Sequence, residues 1–121
     1  MSRLARIRVE REAEFCIVGI EGEIDASNSA ELRERLLDEA RGLAGGLVVD
    51  LSETGYLDST GIAMLLEVAE RLGDRQQRLG LAVAPGSFVA EVLAATGLPE
   101  LLAIRHSTAK AVSSLAANAG S

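Results

Sequence analysis

A chain of 121 residues with 12 basic against 18 acidic side chains carries a formal charge of −6. That balance sets it against nucleic acid as a main ligand, because phosphates would repel it without a concentrated basic patch. Arg33, Arg35 and Arg41 are interleaved with Glu31, Glu34, Asp38 and Glu39, which makes a mixed face, and Phe15, Tyr56 and Phe88 are too few to build stacking platforms for bases or sugars.

Length gives room for one domain, 1–121. Such a chain buries roughly two-thirds of its unfolded surface and needs neither disulfide nor metal to fold. The lone Cys16, inside the apolar run FCIVGI, is a small core residue, and a reducing compartment is expected. The start, MSRLARIRVERE, lacks the apolar stretch of a signal peptide. No run approaches the ~20 apolar residues of a membrane helix, so a cytoplasmic protein without a membrane partner is expected.

In chain order, Ile7 to Glu10 alternates as a half-exposed strand, and Phe15 to Ile20 reads as a second strand. The short link Glu12-Ala13-Glu14 predicts an antiparallel hairpin. Gly22 to Ala26 leaves the sheet, and Asn28-x-x-Glu31 is a capping box for a helix that buries Leu32, Leu36, Ala40 and Leu43. Gly45-Gly46 ends that unit. Leu47 to Leu51 is a buried strand, followed by a short polar turn and a helix with Ile62, Leu65, Leu66, Ala69 and Leu72 on its apolar face.

Leu79 to Ala84 is the next strand, with Leu79, Leu81 and Val83 on one side. Its other side, Gly80, Ala82 and Ala84, lets something approach closely. Ser87 caps a short helix using Val89, Val92 and Leu93, stopped by Gly97 and Pro99. Leu101 to Arg105 is a last strand, and Thr108 opens a helix using Ala109, Val112 and Leu115. The order β-β-α-β-α-β-α-β-α predicts an α/β fold. The sheet is small and mixed, of about five strands, its first hairpin antiparallel and the rest parallel. Right-handed crossovers then place about four helices mainly on one face.

No catalytic set assembles in this string. His106 is the only histidine, and no glycine stands two residues before Ser59 as a nucleophile elbow requires. One Cys and one His, far apart, give no metal-ligand spacing. Gly55 and Gly61 make no phosphate-binding loop, since no Lys-Ser or Lys-Thr follows. Asp25, Asp50 and Asp58 could hold a metal only if all three converged at the strands' carboxyl ends. Asp50 reads as a strand-edge carboxylate, while Asp25, otherwise a turn residue, and Asp58, otherwise a helix cap competing with Ser59, read as parts of one shared surface. No cofactor, metal or catalytic residue is expected.

Asp58-Ser59-Thr60-Gly61 puts two hydroxyls at a helix amino end. Open N–H groups and the helix dipole make that a place to hold an anion. From local chemistry alone, Ser59 is a cap.

Asp58-Ser59-Thr60-Gly61-Ile62, preceded by Val48-Val49-Asp50-Leu51-Ser52 and Tyr56-Leu57, resembles the signature of the STAS domain, and more narrowly of the bacterial anti-sigma factor antagonists. Gly22-Glu23-Ile24-Asp25 and Ser87 to Leu98 match two further blocks of the pattern, and the resemblance spans about residues 6 to 117. It implies an antagonist whose unphosphorylated form binds an anti-sigma factor with serine kinase activity and so releases a sigma factor. Phosphorylation on Ser59, with Thr60 as the backup acceptor, switches binding off, and a serine phosphatase restores it. The partner surface is then Asp25, Ser27, Asp58, Ser59, Thr60 and Gly61. A STAS structural subunit of a lipid-transport ATPase complex and a stress-signalling scaffold are the alternatives.

Overall fold

A computed structural model describes residues 5–96 and 102–119. The hairpin pairs β1 (Ala5–Glu12) with β2 (Phe15–Ile24) antiparallel, Glu12 opposite Phe15, with Ala13 in the turn at a φ of 55°. Then come α1 (Ser29–Glu39), β3 (Gly46–Asp50), β4 (Thr54–Leu57), α2 (Ser59–Asp74), β5 (Arg78–Ala82), α3 (Phe88–Ala94), β6 (Ala103–Arg105) and α4 (Thr108–Ala119). The sheet runs β1-β2-β3-β5-β6, and every pairing after the hairpin is parallel. The mixed sheet with its antiparallel start is as the sequence predicts.

Two strand assignments change. The polar turn after β3 contains β4, a sixth described strand, which pairs parallel with β2. Correspondingly β2 does not leave the sheet at Gly22 but continues to Ile24. Gly22 pairs with Ala5 on one edge and Thr54 on the other, so β4 extends the line of β3 after a three-residue break. Thr54 anchors it: its hydroxyl is buried and donates to the Ile20 carbonyl at 2.6 Å.

Strand alternation divides the core. Cys16, Val18, Ile20, Leu47, Val49, Leu79 and Leu81 face one side and pack against Leu32, Leu36 and Leu37 of α1 and Met64, Leu65, Val68 and Leu72 of α2. Val89 and Leu93 of α3 join the same cluster. Phe15, Ile17 and Val48 face the other side, where Ala111 and Leu115 of α4 cover them. Three helices thus share a face and α4 takes the opposite one. It follows the last strand, so no parallel crossover dictates its side. The small side of β5 admits it, since a β-carbon at Gly80 would sit 3.1 Å from Leu115 Cδ1.

Three helical details shift. The buried stripe of α2 is Gly61, Met64, Leu65, Val68 and Leu72, while Ile62, Leu66 and Ala69 are half-buried flanks. In α4 the buried alanine is Ala111, and Ala109 is exposed. Ser87 caps α3 as expected, its Oγ accepting from Ala90 N at 3.1 Å. Gly97, Pro99 and Leu101 lie outside the described residues.

Across the α4-side face, Arg8, Gly19 and Asp50 are register neighbours. Arg8 crosses the bare glycine to reach Asp50 Oδ2 at 3.1 Å, and a β-carbon at Gly19 would meet Arg8 Nη2 at 2.6 Å. The outer edge at β1 carries exposed Arg6, Arg8, Glu10, Arg11 and Glu12, and the opposite edge is the three-residue β6. Among the described residues no helix is long and apolar enough to cross a membrane.

Candidate functional site

The β2–β4 register builds the site. Ile24 lies opposite Leu57, so the next residues, Asp25 and Asp58, leave the sheet side by side. The Asp58 N–H donates to the Ile24 carbonyl at 3.4 Å. Asp58 then caps α2 from an extended backbone. Its Oδ1 accepts from the Thr60 and Gly61 amides at 3.0 and 3.1 Å and from the Thr60 hydroxyl at 2.6 Å. The Thr60 hydroxyl is the main cause holding the Asp58 carboxyl below the usual carboxylate range; partial burial opposes it, and the amides reinforce it.

These bonds revise the expected anion site. Two of the helix-end amides are already taken by Asp58, so they are not open to a further anion. Ser59 is the first residue of α2, and its side chain is exposed. Among the described residues its hydroxyl has no hydrogen-bond partner. Thr60 is also exposed, but its hydroxyl is committed to Asp58.

Asp25 anchors the facing loop. Its Oδ1 accepts from the Ser27 amide at 2.9 Å and the Ser27 hydroxyl at 2.6 Å, and its carbonyl accepts from Asn28 and Ser29. Sequence reasoning missed the role of Asn28. In place of a side-chain cap on α1, its Oδ1 accepts from the Asp25 amide at 3.0 Å and its Nδ2 donates to the Glu23 carbonyl at 2.8 Å. It is 2% exposed, so it fixes the loop from within. The signal was there in the string: an amide, unlike a carboxylate, can donate and accept at once.

Asp25, Ser27, Asp58, Ser59 and Thr60 therefore stand on two adjoining loop ends. Gly61 does not join that surface. It is buried, and a β-carbon there would collide with Leu57 Cδ1 and meet Ile24 Cγ2 at 2.9 Å. The close approach it permits is to the core. Asp50 is absent from the site as well, held by Arg8 and the Ser52 amide on the far face. Among the described residues no three of His, Cys, Asp and Glu gather to hold a metal ion. His106 is exposed, and Cys16 is fully buried, which raises its thiol pKa.

What this arrangement offers is a rigid rim with one free nucleophilic hydroxyl at its centre. Beside Thr60 a cleft of about 230 Å³ opens between α1 and α2, floored by Ala63 and Met64.

Comparison with known proteins gives consistent matches. The family model described as "Mlab, STAS domain" matches residues 7–103. An anti-sigma-B factor antagonist of Listeria monocytogenes is 29% identical over 99 residues, 80% of this chain and 84% of the relative. The crystal structure of an anti-sigma factor antagonist from Mycobacterium paratuberculosis superposes with a TM-score of 0.81 at 23% identity, covering 93% of this chain and 94% of that one. SpoIIAA, an anti-sigma factor antagonist in its unphosphorylated form, gives 0.74 at 17% identity, covering 93% and 97%. At such identities the structural likeness bears on the fold.

Proposed function

The chain belongs to the STAS domain family, and on that premise we propose that it is an anti-sigma factor antagonist acting by partner switching. The unphosphorylated form binds an anti-sigma factor and thereby frees a sigma factor. The partner is also a serine kinase: the Ser59 oxygen attacks the γ-phosphorus of ATP, the bond to ADP breaks, and the hydroxyl proton is released. A phosphatase hydrolyses the ester and returns the hydroxyl. The chain is ligand and substrate in this cycle, catalyses nothing itself, and works in the cytoplasm.

The observation that carries this reading is the exposed, unpartnered Ser59 hydroxyl beside a committed Asp58 and Thr60. Asp25 and Ser27 complete the contact surface, and Gly61 serves it indirectly by seating α2 on the sheet. Phosphate adds about −1.5 to −2 charges. Because Asp58 already occupies two amides of the helix end, that charge faces outward and accumulates next to a carboxylate. Bulk and like-charge repulsion then fall on the partner, while the fold stays as it is.

A pull-down from the host's lysate with wild type and Ser59→Asp tests it. Retention of a small ATP-binding serine kinase by wild type, lost in Ser59→Asp, is the expected result. Equal binding of Ser59→Asp and Ser59→Ala would overturn the switch. The matching family, "Mlab, STAS domain", is not named for a sigma-factor regulator, so the resemblance's other implication, a structural subunit of a lipid-transport ATPase complex, is kept as the second reading. Retention of transporter subunits, indifferent to Ser59, would establish that one.

A further inference from the structure

Phe15 is buried, yet the chain's other two phenyl rings stand at the surface, Tyr56 at 40% and Phe88 at 51% exposure. They stack on each other, with centroids 6.0 Å apart and planes inclined by 10°. Tyr56 belongs to β4 and Phe88 opens α3, so two separate elements are brought together to expose one aromatic surface. Each ring has a carboxylate beside it. Glu23 is the register partner of Tyr56 and shares its face of the sheet. Glu91 lies one turn on from Phe88 along α3. Among the described residues neither carboxylate has an ion-pair partner.

We propose that Tyr56, Phe88, Glu23 and Glu91 receive an arginine side chain of the anti-sigma factor, as an anchor indifferent to the state of Ser59. This rests on the function proposed above. A guanidinium is planar, always charged and weakly hydrated. It gains from an aromatic face and from flanking carboxylates in a way an aliphatic side chain or a water-bound surface does not. Exposed aromatic residues are also the usual energetic centres of protein interfaces.

The position fits a single interface. Tyr56 precedes Ser59 by three residues, which limits their Cα separation to about 11 Å. One side of a standard interface covers about 800 Å², a patch of about 16 Å radius, so one partner spans both. Screening at physiological salt acts over about 8 Å, so a phosphate on Ser59 acts mainly on what faces Ser59. The rim then has two ends, a switched serine and a constant anchor.

The test is titration of the purified anti-sigma factor against wild type, Tyr56→Ala, Phe88→Ala, Tyr56→Leu, Phe88→Leu and the pair Glu23→Gln with Glu91→Gln. Each is made in the Ser59 and Ser59→Asp backgrounds, with circular dichroism confirming the fold. The alanine and leucine variants are expected to weaken binding on the order of 10-fold or more. The glutamine pair is expected to weaken it several-fold and flatten its salt dependence, and the weak residual binding of the Ser59→Asp background, read at high protein concentration, to fall by the same factors. Leucine variants that bind as wild type does would overturn the arginine assignment, leaving a merely apolar contact. Alanine variants that bind as wild type does, with Ser59→Asp still blocking, would overturn the anchor alone. A wild type that binds no anti-sigma factor would overturn the functional reading and the anchor with it.

Discussion

The Asp58 carboxylate and the Thr60 hydroxyl hold each other at 2.6 Å across the first turn of α2, while among the described residues the hydroxyl of Ser59 between them has no partner. One short bond thus sorts two adjacent hydroxyls. Thr60 must break a charge-assisted contact before it can act as a nucleophile, and Ser59 breaks none.

Phosphorylation by the kinase proposed as the partner should therefore depend on one residue. Ser59→Ala is expected to abolish phosphate incorporation, while Thr60→Val retains it, as read by phosphopeptide mass spectrometry. Label persisting in Ser59→Ala and vanishing in Thr60→Val would reverse the assignment.

The cap separates charge from geometry. Asp58→Ala removes the acceptor for two amides and is expected to cost about 1 kcal/mol, while Asp58→Asn keeps an oxygen there and costs a few tenths. Urea titration at neutral pH measures both. Acid adds a second readout. The folded carboxyl titrates below its unfolded value of about 3.9, so its ionised form favours the fold. That stabilisation is complete above the unfolded value and is lost as pH falls through the folded one. The wild type should lose its advantage over Asp58→Asn across that acidic window.

Two glycines should fail for different reasons. At Gly61 an alanine would press on the buried Ile24 and Leu57 side chains. The overpacking costs about 1–3 kcal/mol, offset by about 1 kcal/mol of helix propensity. At Gly46 the φ of +130° and the Arg78 backbone, whose carbonyl oxygen a β-carbon would strike, leave an alanine no room. The backbone itself must move there, at a cost on the order of 3 kcal/mol or more. Denaturant midpoints that rank Gly46→Ala above Gly61→Ala in damage would agree; the reverse order would contradict the packing described.

Arg8 and Asp50 offer a double-mutant cycle. Gly19→Ala puts a methyl where the guanidinium crosses, so it should break the same ion pair that Arg8→Ala removes, each by about 1 kcal/mol. The two together should cost less than their sum. Full additivity would show that Gly19 does not serve the pair.

Much of this fold could be read from the string because strand and helix periods are explicit in it. Leu79, Leu81 and Val83 against Gly80, Ala82 and Ala84 announce a two-sided strand, and the small side is where α4 lies. β4 leaves no signal in the string because Thr54-Gly55-Tyr56-Leu57 is four residues long, contains a glycine and has only one fully apolar side chain facing the core. Its pairing with β2 is a tertiary fact. The buried stripe of α2 lies one position from the one its sequence suggests, because Ile62, Leu66 and Ala69 are apolar like Met64 and Val68 and only packing ranks them. At the site, the residues Asp58 to Gly61 stand out by type and order. Which hydroxyl is free does not, since it depends on a rotamer and one hydrogen bond. The pair Tyr56 and Phe88, 32 positions apart, has no local signature at all.

The two ends of the sheet bear on how this molecule keeps company. A strand edge is a template on which another chain can crystallise its own backbone, and natural sheets defend theirs. Here one margin is saturated with arginine and glutamate and the other is only three residues long. Neither invites growth into fibrils or chains of copies. For the partner exchange proposed above such margins are useful, because they leave association to side chains at the rim around Ser59 and not to exposed backbone.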